Sequence, residues 1–127
     1  MPIFLRLSLV VIALVLAACG GGDSTTSQPP ATTPALATLD AIRTGGIAAS
    51  RREVHLKPGD PGLVPAQDAL GVPLPPSTVS LNPGAADVFV YSVTAVLSDG
   101  TTASYAFDDS KVPGDLRELS TWLGTQF

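Results

Sequence analysis

Two β-rich runs separated by one turn signal, within residues 87–108, constrain the fold of this chain more than any other stretch. The first run reads Asp-Val-Phe-Val-Tyr-Ser-Val-Thr-Ala-Val-Leu. Ser-Asp-Gly follows, and the second run reads Thr-Thr-Ala-Ser-Tyr-Ala-Phe-Asp. Runs of β-branched and aromatic residues on either side of an Asp-Gly pair predict a β-hairpin.

The type of turn decides which side chains of this hairpin share a face, because a shift of one residue moves every side chain to the opposite face. A two-residue turn would separate the aromatic residues of the two strands. A three-residue loop ending at Gly100 instead pairs Val93 with Tyr105 and Tyr91 with Phe107. We favour this loop because it gathers the large side chains of a small protein on one face. Those side chains are Phe89, Tyr91, Val93, Leu97, Tyr105 and Phe107.

The N-terminal residues have the pattern of a cleaved bacterial leader. A single Arg6 precedes an apolar run over residues 7–18, which is shorter than the roughly 20 residues that cross a bilayer. The run ends in Leu-Ala-Ala-Cys, which resembles the lipobox of bacterial lipoproteins, and Cys19 is the only cysteine. We therefore expect residues 1–18 to be a lipoprotein signal peptide and the Cys19 thiol to carry a lipid anchor.

Residues 19–34 are expected to form a lipidated, disordered tether, because they consist mainly of Gly, Ser, Thr and Pro. The residue after the cysteine is Gly20 rather than Asp. By resemblance to lipoproteins of double-membrane bacteria, this indicates anchoring in the outer membrane, facing the periplasm. The chain has a formal net charge of −4 and no basic cluster, which argues against nucleic acid as a partner.

Residues 35–127 are predicted to form one small α+β domain. We expect a small antiparallel sheet built from two hairpins, packed by a C-terminal helix and a short middle helix. The first hairpin is predicted over residues 36–43 and 47–56, with Gly45 and Gly46 near its tip. The Thr-Pro pair that precedes this segment would also suit the start of a helix.

Two helices are predicted from the spacing of their apolar residues. Leu63, Gln67 and Leu70 indicate a helix of two turns that could end at Gly71, and the proline-rich residues 72–84 are expected to cross irregularly. Near the C terminus a Pro-Gly-Asp start precedes a stripe of apolar residues at helical spacing. The stripe consists of Leu116, Leu119, Leu123 and Phe127.

The residues that usually carry catalysis are scarce. His55 is the only histidine, whereas a zinc site needs several ligands and a nucleophile needs a partnered base. Asp108 and Asp109 are too few for a hard cation, so solvation of a loop or entry to a helix is the favoured interpretation. Arg51 and Arg52 are expected to face opposite ways on a strand. The sequence therefore favours a binding protein, without cofactor or metal, over an enzyme.

Three stretches resemble one family of proteins. Ile42-Arg-Thr-Gly-Gly-Ile-Ala is similar to the Arg-Thr-Gly-Gly-Phe-Ala-Gly start of the emfourin family, although Ala49 follows where the family often has Gly. Asp87-Val-Phe-Val-Tyr-Ser-Val-Thr and Val112-Pro-Gly-Asp-Leu-Arg-Glu-Leu-Ser-Thr-Trp-Leu resemble its closing hairpin and its Val-Pro-x-x-Leu-Arg-x-Leu-x-x-Trp-Leu helix. The likeness covers residues 36–127 in matching order. Emfourins are small proteinaceous inhibitors of thermolysin-like zinc metallopeptidases, and the resemblance implies that role here.

A binding site can be proposed at the first predicted tip. Thermolysin-like enzymes favour a bulky apolar residue after the scissile bond, and glycines allow a backbone to approach a cleft closely. We expect Ile47 to enter the apolar pocket of a metallopeptidase, Gly45 and Gly46 to form the tip, and Arg43 and Thr44 to support it from one side. The equally weighted alternative is a plain glycine turn with Ile47 in the core.

The rival interpretation of the whole chain is a non-catalytic envelope lipoprotein. Such a protein would dock on a secretion or assembly complex through an exposed edge of its sheet. The predicted leader and tether fit this function as well as they fit an inhibitor.

Overall fold

A five-stranded mixed sheet with helices packed on one face forms the described part of this protein. The computed structural model describes Pro30 and residues 32–127, and Pro34–Phe127 make up one compact unit. The predictions for the signal peptide and for Cys19 lie outside the described residues, as does most of the predicted tether.

The strands follow the order β2-β1-β4-β5-β3 across the sheet. They are β1 (Leu36–Gly45), β2 (Ser50–Leu56), β3 (Thr78–Ser80), β4 (Phe89–Leu97) and β5 (Thr102–Asp108). The helices are α1 (Leu63–Leu70) and α2 (Arg117–Gly124), and a 3-10 turn at Gly114–Leu116 precedes α2. Within the described part of the chain, no helix has the length and apolar character needed to cross a membrane.

The α+β class is confirmed, but the sheet is mixed rather than antiparallel. β3 pairs in parallel with β5, aligning Val79 with Ala106, although its residues belong to the segment expected to be irregular. The short run between the prolines of this segment keeps its backbone N–H groups, so it can pair at an edge of the sheet. The Tyr105 hydroxyl also donates to the Pro75 carbonyl oxygen at 2.8 Å, which holds the crossing segment beside β5.

The register of β4 and β5 is the one predicted from the sequence. Val93 lies opposite Tyr105 and Tyr91 opposite Phe107. The Leu97 amide donates to the Thr101 carbonyl oxygen at 2.8 Å and closes a three-residue loop. Gly100 ends this loop with a φ of 87°, the left-handed conformation that the bulge requires.

The core lies between the two helices and the face of the sheet that carries Tyr91, Tyr105 and Phe107. The apolar stripe predicted near the C terminus packs into the core, because Leu116, Leu119 and Leu123 are all buried and Phe127 is half-buried. The α-helix is shorter than predicted, since Leu116 lies in the 3-10 turn and α2 ends at Gly124, before Phe127. In the middle helix Leu70 is buried and Gly71 follows as the cap with a φ of 82°. The opposite face of the sheet carries mainly small polar and charged side chains, and neither described helix covers it; we call it the helix-free face.

Candidate functional site

The four residues 46–49 join β1 to β2, and we call them the tip. The expected second strand begins at Ser50 rather than at Ile47, because the Ala49 amide donates to the Gly46 carbonyl oxygen at 3.0 Å and closes a turn. Ile47 lies on this turn with 92% of its surface exposed. It is therefore not a core residue, and the alternative that placed it in the core does not hold.

Close contact with β4 and the residue before it anchors the base of the tip. The Gly46 amide donates to the Val88 carbonyl oxygen at 3.1 Å. Gly45 and Gly46 have φ values of 110° and 71°, which L side chains rarely adopt. A Cβ atom on Gly45 would lie 2.3 Å from the Val88 oxygen, and one on Gly46 would lie 2.7 Å from the Phe89 ring. A side chain at Gly45 would therefore collide with backbone, whereas one at Gly46 would have to displace the Phe89 ring.

Ala49 is the other tip residue with an unusual backbone conformation. Its φ is 46°, in the left-handed region where a residue with a Cβ atom is less stable than glycine. This is the position at which the emfourin pattern often has glycine. The chain thus accepts a small conformational cost to close the turn.

Arg43 links the C-terminal residue to the base of the tip. Its guanidinium carbon lies 4.4 Å from the centre of the Phe89 ring and 4.9 Å from that of Phe127. Its Nη2 donates to the main-chain oxygen of Phe127 at 3.3 Å, whereas its Nε is buried and has no hydrogen-bond partner among the described residues. A cation between two aromatic faces is held by both rings. Since Phe89 contacts Gly46, this stack supports the tip from the helix side of the sheet.

Thr44 does not share that position. It pairs with Arg51 of β2 and with Val90 of β4, and alternation along β1 places its side chain on the helix-free face. This corrects the expectation that Arg43 and Thr44 support the tip from one side. Arg43 acts on the tip through Phe89, and Thr44 belongs to the other surface.

Phe89 is the residue of this site that the sequence did not indicate. It lies directly opposite Gly45 in the pairing of β1 with β4. Because those strands are not consecutive, no local pattern shows that the two residues meet. Knowledge of the register between the first and fourth strands would have revealed it.

A shallow cleft of about 360 Å³ opens between the tip and the chain before β4. Its wall is mainly apolar and includes Ile47, Ala48 and Phe89. Among the described residues that line it, Asp87 alone is ionisable; it is exposed and has a φ of 59°. An exposed apolar side chain and an apolar cleft thus lie side by side at one end of the sheet.

His55 lies on the helix-free face within a charged cluster. Its Nδ1 is 2.7 Å from an Asp40 carboxylate oxygen and its Nε2 is 3.1 Å from one of Glu53. The hydrogen bond to Asp40, followed by that to Glu53, raises the pKa of His55 above its ordinary value. Arg51 Nε also donates to Glu53 at 2.7 Å. The imidazole is thus an exposed partner in ion pairs, as expected for a surface residue.

The two adjacent aspartates of β5 and its following turn stabilise backbone groups. The Asp108 side chain is buried and accepts hydrogen bonds from the Asn82 amide and from the amide and hydroxyl of Ser110. These bonds, that of the Ser110 hydroxyl foremost, lower the pKa of Asp108. Asp109 accepts from the Phe89 amide at 3.3 Å. The expectation of loop solvation is therefore wrong for Asp108, because the loop after β3 folds over it.

No cluster of three or more metal-ligating side chains was found among Pro30 and residues 32–127. Comparison with known proteins adds no family assignment: no family model matches the chain, and neither the curated proteins nor the solved structures contain a match.

Proposed function

We propose that this protein is an inhibitor of thermolysin-like metallopeptidases, held in the bacterial envelope by a lipid on Cys19. In this view β1 and β2 form a hairpin that presents the tip, and the hairpin of β4 and β5 supports it together with the helices. The sequence resemblance to emfourins suggests the enzyme class. The leader pattern suggests the outer membrane, with the folded domain on the periplasmic side.

The observation that carries this proposal is the exposure of Ile47, at 92%, on a turn whose base is anchored. An isoleucine gains about 1.5–3 kcal/mol when it moves from water into an apolar pocket. Ile47 is therefore available to bind the apolar pocket in which a thermolysin-like enzyme holds the residue after the scissile bond.

The support beneath the tip strengthens the proposal. The glycine contacts with Val88 and Phe89, and the Arg43 stack behind Phe89, restrict the base of the tip before any partner arrives. A loop that is already ordered loses less conformational entropy on binding, and its affinity increases accordingly. Ordering of this kind would also help an inhibitor to resist cleavage by its target.

Ile47→Ser tests the proposal in an inhibition assay with thermolysin and the full chain. Loss of the apolar contact should weaken inhibition by about 10- to 100-fold. Val79→Ser is the matched control, because Val79 is also 77% exposed but lies on β3, at the edge of the sheet farthest from β2. Unchanged potency of folded Ile47→Ser would remove the tip from the binding surface.

A second candidate function is docking on a secretion or assembly complex as a non-catalytic envelope module. The edge strands β2 and β3 favour it, because neither pairs on its outer side with another described strand and an open edge offers N–H and C=O groups to a partner strand. The charged side chains of β2, among them Arg51, Glu53 and His55, disfavour such pairing at that edge. Absence of thermolysin inhibition by the wild-type chain would favour docking.

A further inference from the structure

Insertion of Ile47 into an enzyme pocket leaves the cleft beside the tip without an assigned occupant. Its volume of about 360 Å³ falls at the small end of clefts that bind ligands. Ile47 and Ala48 line one side and Phe89 another. Any protein that buries Ile47 must bring its own surface over this opening, because Ile47 itself forms part of the wall.

The apolar wall defines one part of the occupant. Burial of apolar surface is favourable only if the entering group is itself apolar, since a polar group would lose its hydration without finding a partner. The cleft therefore suits a bulky aliphatic or aromatic side chain from the protein that receives Ile47.

Charge defines the other part. Asp87 lines the cleft, is exposed, and takes part in none of the salt bridges found among the described residues. A carboxylate at the rim of an apolar contact attracts a cation and repels an anion. The chain as a whole carries a net charge of −4, which acts in the same direction.

We propose that this cleft receives a bulky apolar side chain of the target metallopeptidase, and that an adjacent lysine or arginine of the enzyme pairs with Asp87. The inference rests on the proposed inhibitory function and extends it from one contact to two. Ile47 inserts into the enzyme, and the enzyme inserts a side chain into the inhibitor. Such reciprocal insertion fixes the orientation of the two proteins, which a single inserted residue does not.

A second copy of this chain is a poorer occupant. A symmetric dimer through the tip would bring the Asp87 carboxylates of both copies into one interface, where like charges oppose association. Anionic lipid headgroups are disfavoured for the same reason.

Asp87→Asn provides the test, measured as inhibition and association rate with thermolysin as the probe. Asparagine tolerates the left-handed conformation at φ 59°, so the charge is removed without new backbone strain. We expect inhibition to weaken by about two- to fivefold, mainly through slower association. The wild type should also lose more potency than Asp87→Asn between about 0.01 M and about 0.15 M ionic strength, because salt screens the exposed pair.

The matched control is Asp99→Asn, which removes an exposed charge in the turn at the other end of β4. It should leave inhibition unchanged. If Asp87→Asn fails to fold, Asp87→Gly removes the same charge and relieves the positive φ.

The possible outcomes distinguish failure of the cleft proposal from failure of the proposed inhibitory function. If the wild type inhibits and Ile47→Ser does not, but both Asp87 variants inhibit like the wild type, the tip model holds and the cleft proposal is overturned. If the wild type does not inhibit thermolysin at all, both are overturned. A concentration-dependent dimer in sedimentation that Ile47→Ser dissociates would assign the cleft to a second copy and also overturn the proposal.

Discussion

Gly45→Ala tests whether the close approach of β1 to β4 holds the tip in place. Gly45 has a φ of 110°, and an added Cβ atom would lie 2.3 Å from the Val88 carbonyl oxygen. Gly100 is the natural control, since its φ is 87° and an added Cβ would meet nothing within 4 Å. Both variants therefore strain the backbone, and only Gly45→Ala adds a collision.

The expected magnitudes follow from these two effects. Placing a Cβ atom at positive φ costs about 1–2 kcal/mol, which is the whole penalty for Gly100→Ala. The atom that Gly45→Ala meets belongs to the backbone, so no side-chain rotation relieves the collision. Moving the Val88 oxygen away would weaken its 3.1 Å hydrogen bond from the Gly46 amide, worth about 0.5–1.5 kcal/mol. Gly45→Ala should therefore cost about 1.5–3.5 kcal/mol in total.

Urea unfolding measures both losses. Trp122 is the only tryptophan and is half-buried against the core, so its fluorescence reports global unfolding. In a domain of this size each kcal/mol corresponds to a fall in Tm of about 4–8 °C. Folded Gly45→Ala should also inhibit thermolysin less well, because the displaced tip is no longer ordered. If Gly45→Ala and Gly100→Ala lost the same free energy of unfolding, the contact with Val88 would not support the tip.

Two further predictions concern the core and the helix-free face. Leu119→Ala should lower the free energy of unfolding by about 2–5 kcal/mol, because removal of a fully buried side chain leaves a cavity. Thermal melting measures the effect, and Val64→Ala, at an exposed position, is the control that should change the melting temperature little. Equal effects of the two variants would exclude α2 from the core. Hydrogen bonds to Asp40 and Glu53 raise the pKa of His55. Protonated His55 therefore contributes to the free energy of folding below about pH 6.5, its unfolded-state pKa. That contribution is lost as the pH rises through the higher pKa of the folded state. An NMR titration should show that Asp40→Asn lowers the His55 pKa, and an unchanged value would contradict the assigned cause.

Local patterns in the sequence were sufficient for much of the scaffold. The Ser-Asp-Gly turn and the aromatic alternation determined the pairing of Val93 with Tyr105, because turn length sets register within a hairpin. The spacing of apolar residues also predicted the buried stripe near the C terminus, and Gly71 predicted the end of the middle helix. In each case the residues that interact lie within a few turns or one hairpin of each other along the chain.

The candidate site depended on contacts between distant parts of the chain. The sequence placed Gly45, Gly46 and Ile47 at a tip, but it did not show that β1 pairs with β4 or that Phe89 contacts the tip. It also gave no sign that Arg43 stacks between Phe89 and the C-terminal residue.

The sequence by itself determined which face of the β4–β5 pair is apolar and that the chain turns at residues 98–100, since both follow from residue spacing and backbone conformation. Tertiary structure alone decided that β3 pairs in parallel with β5, that Asp108 is buried, and that Ile47 is exposed beside a cleft. These features arise when elements far apart in sequence pack together. The free energy of that packing depends on all the partners at once and cannot be assigned to any single segment.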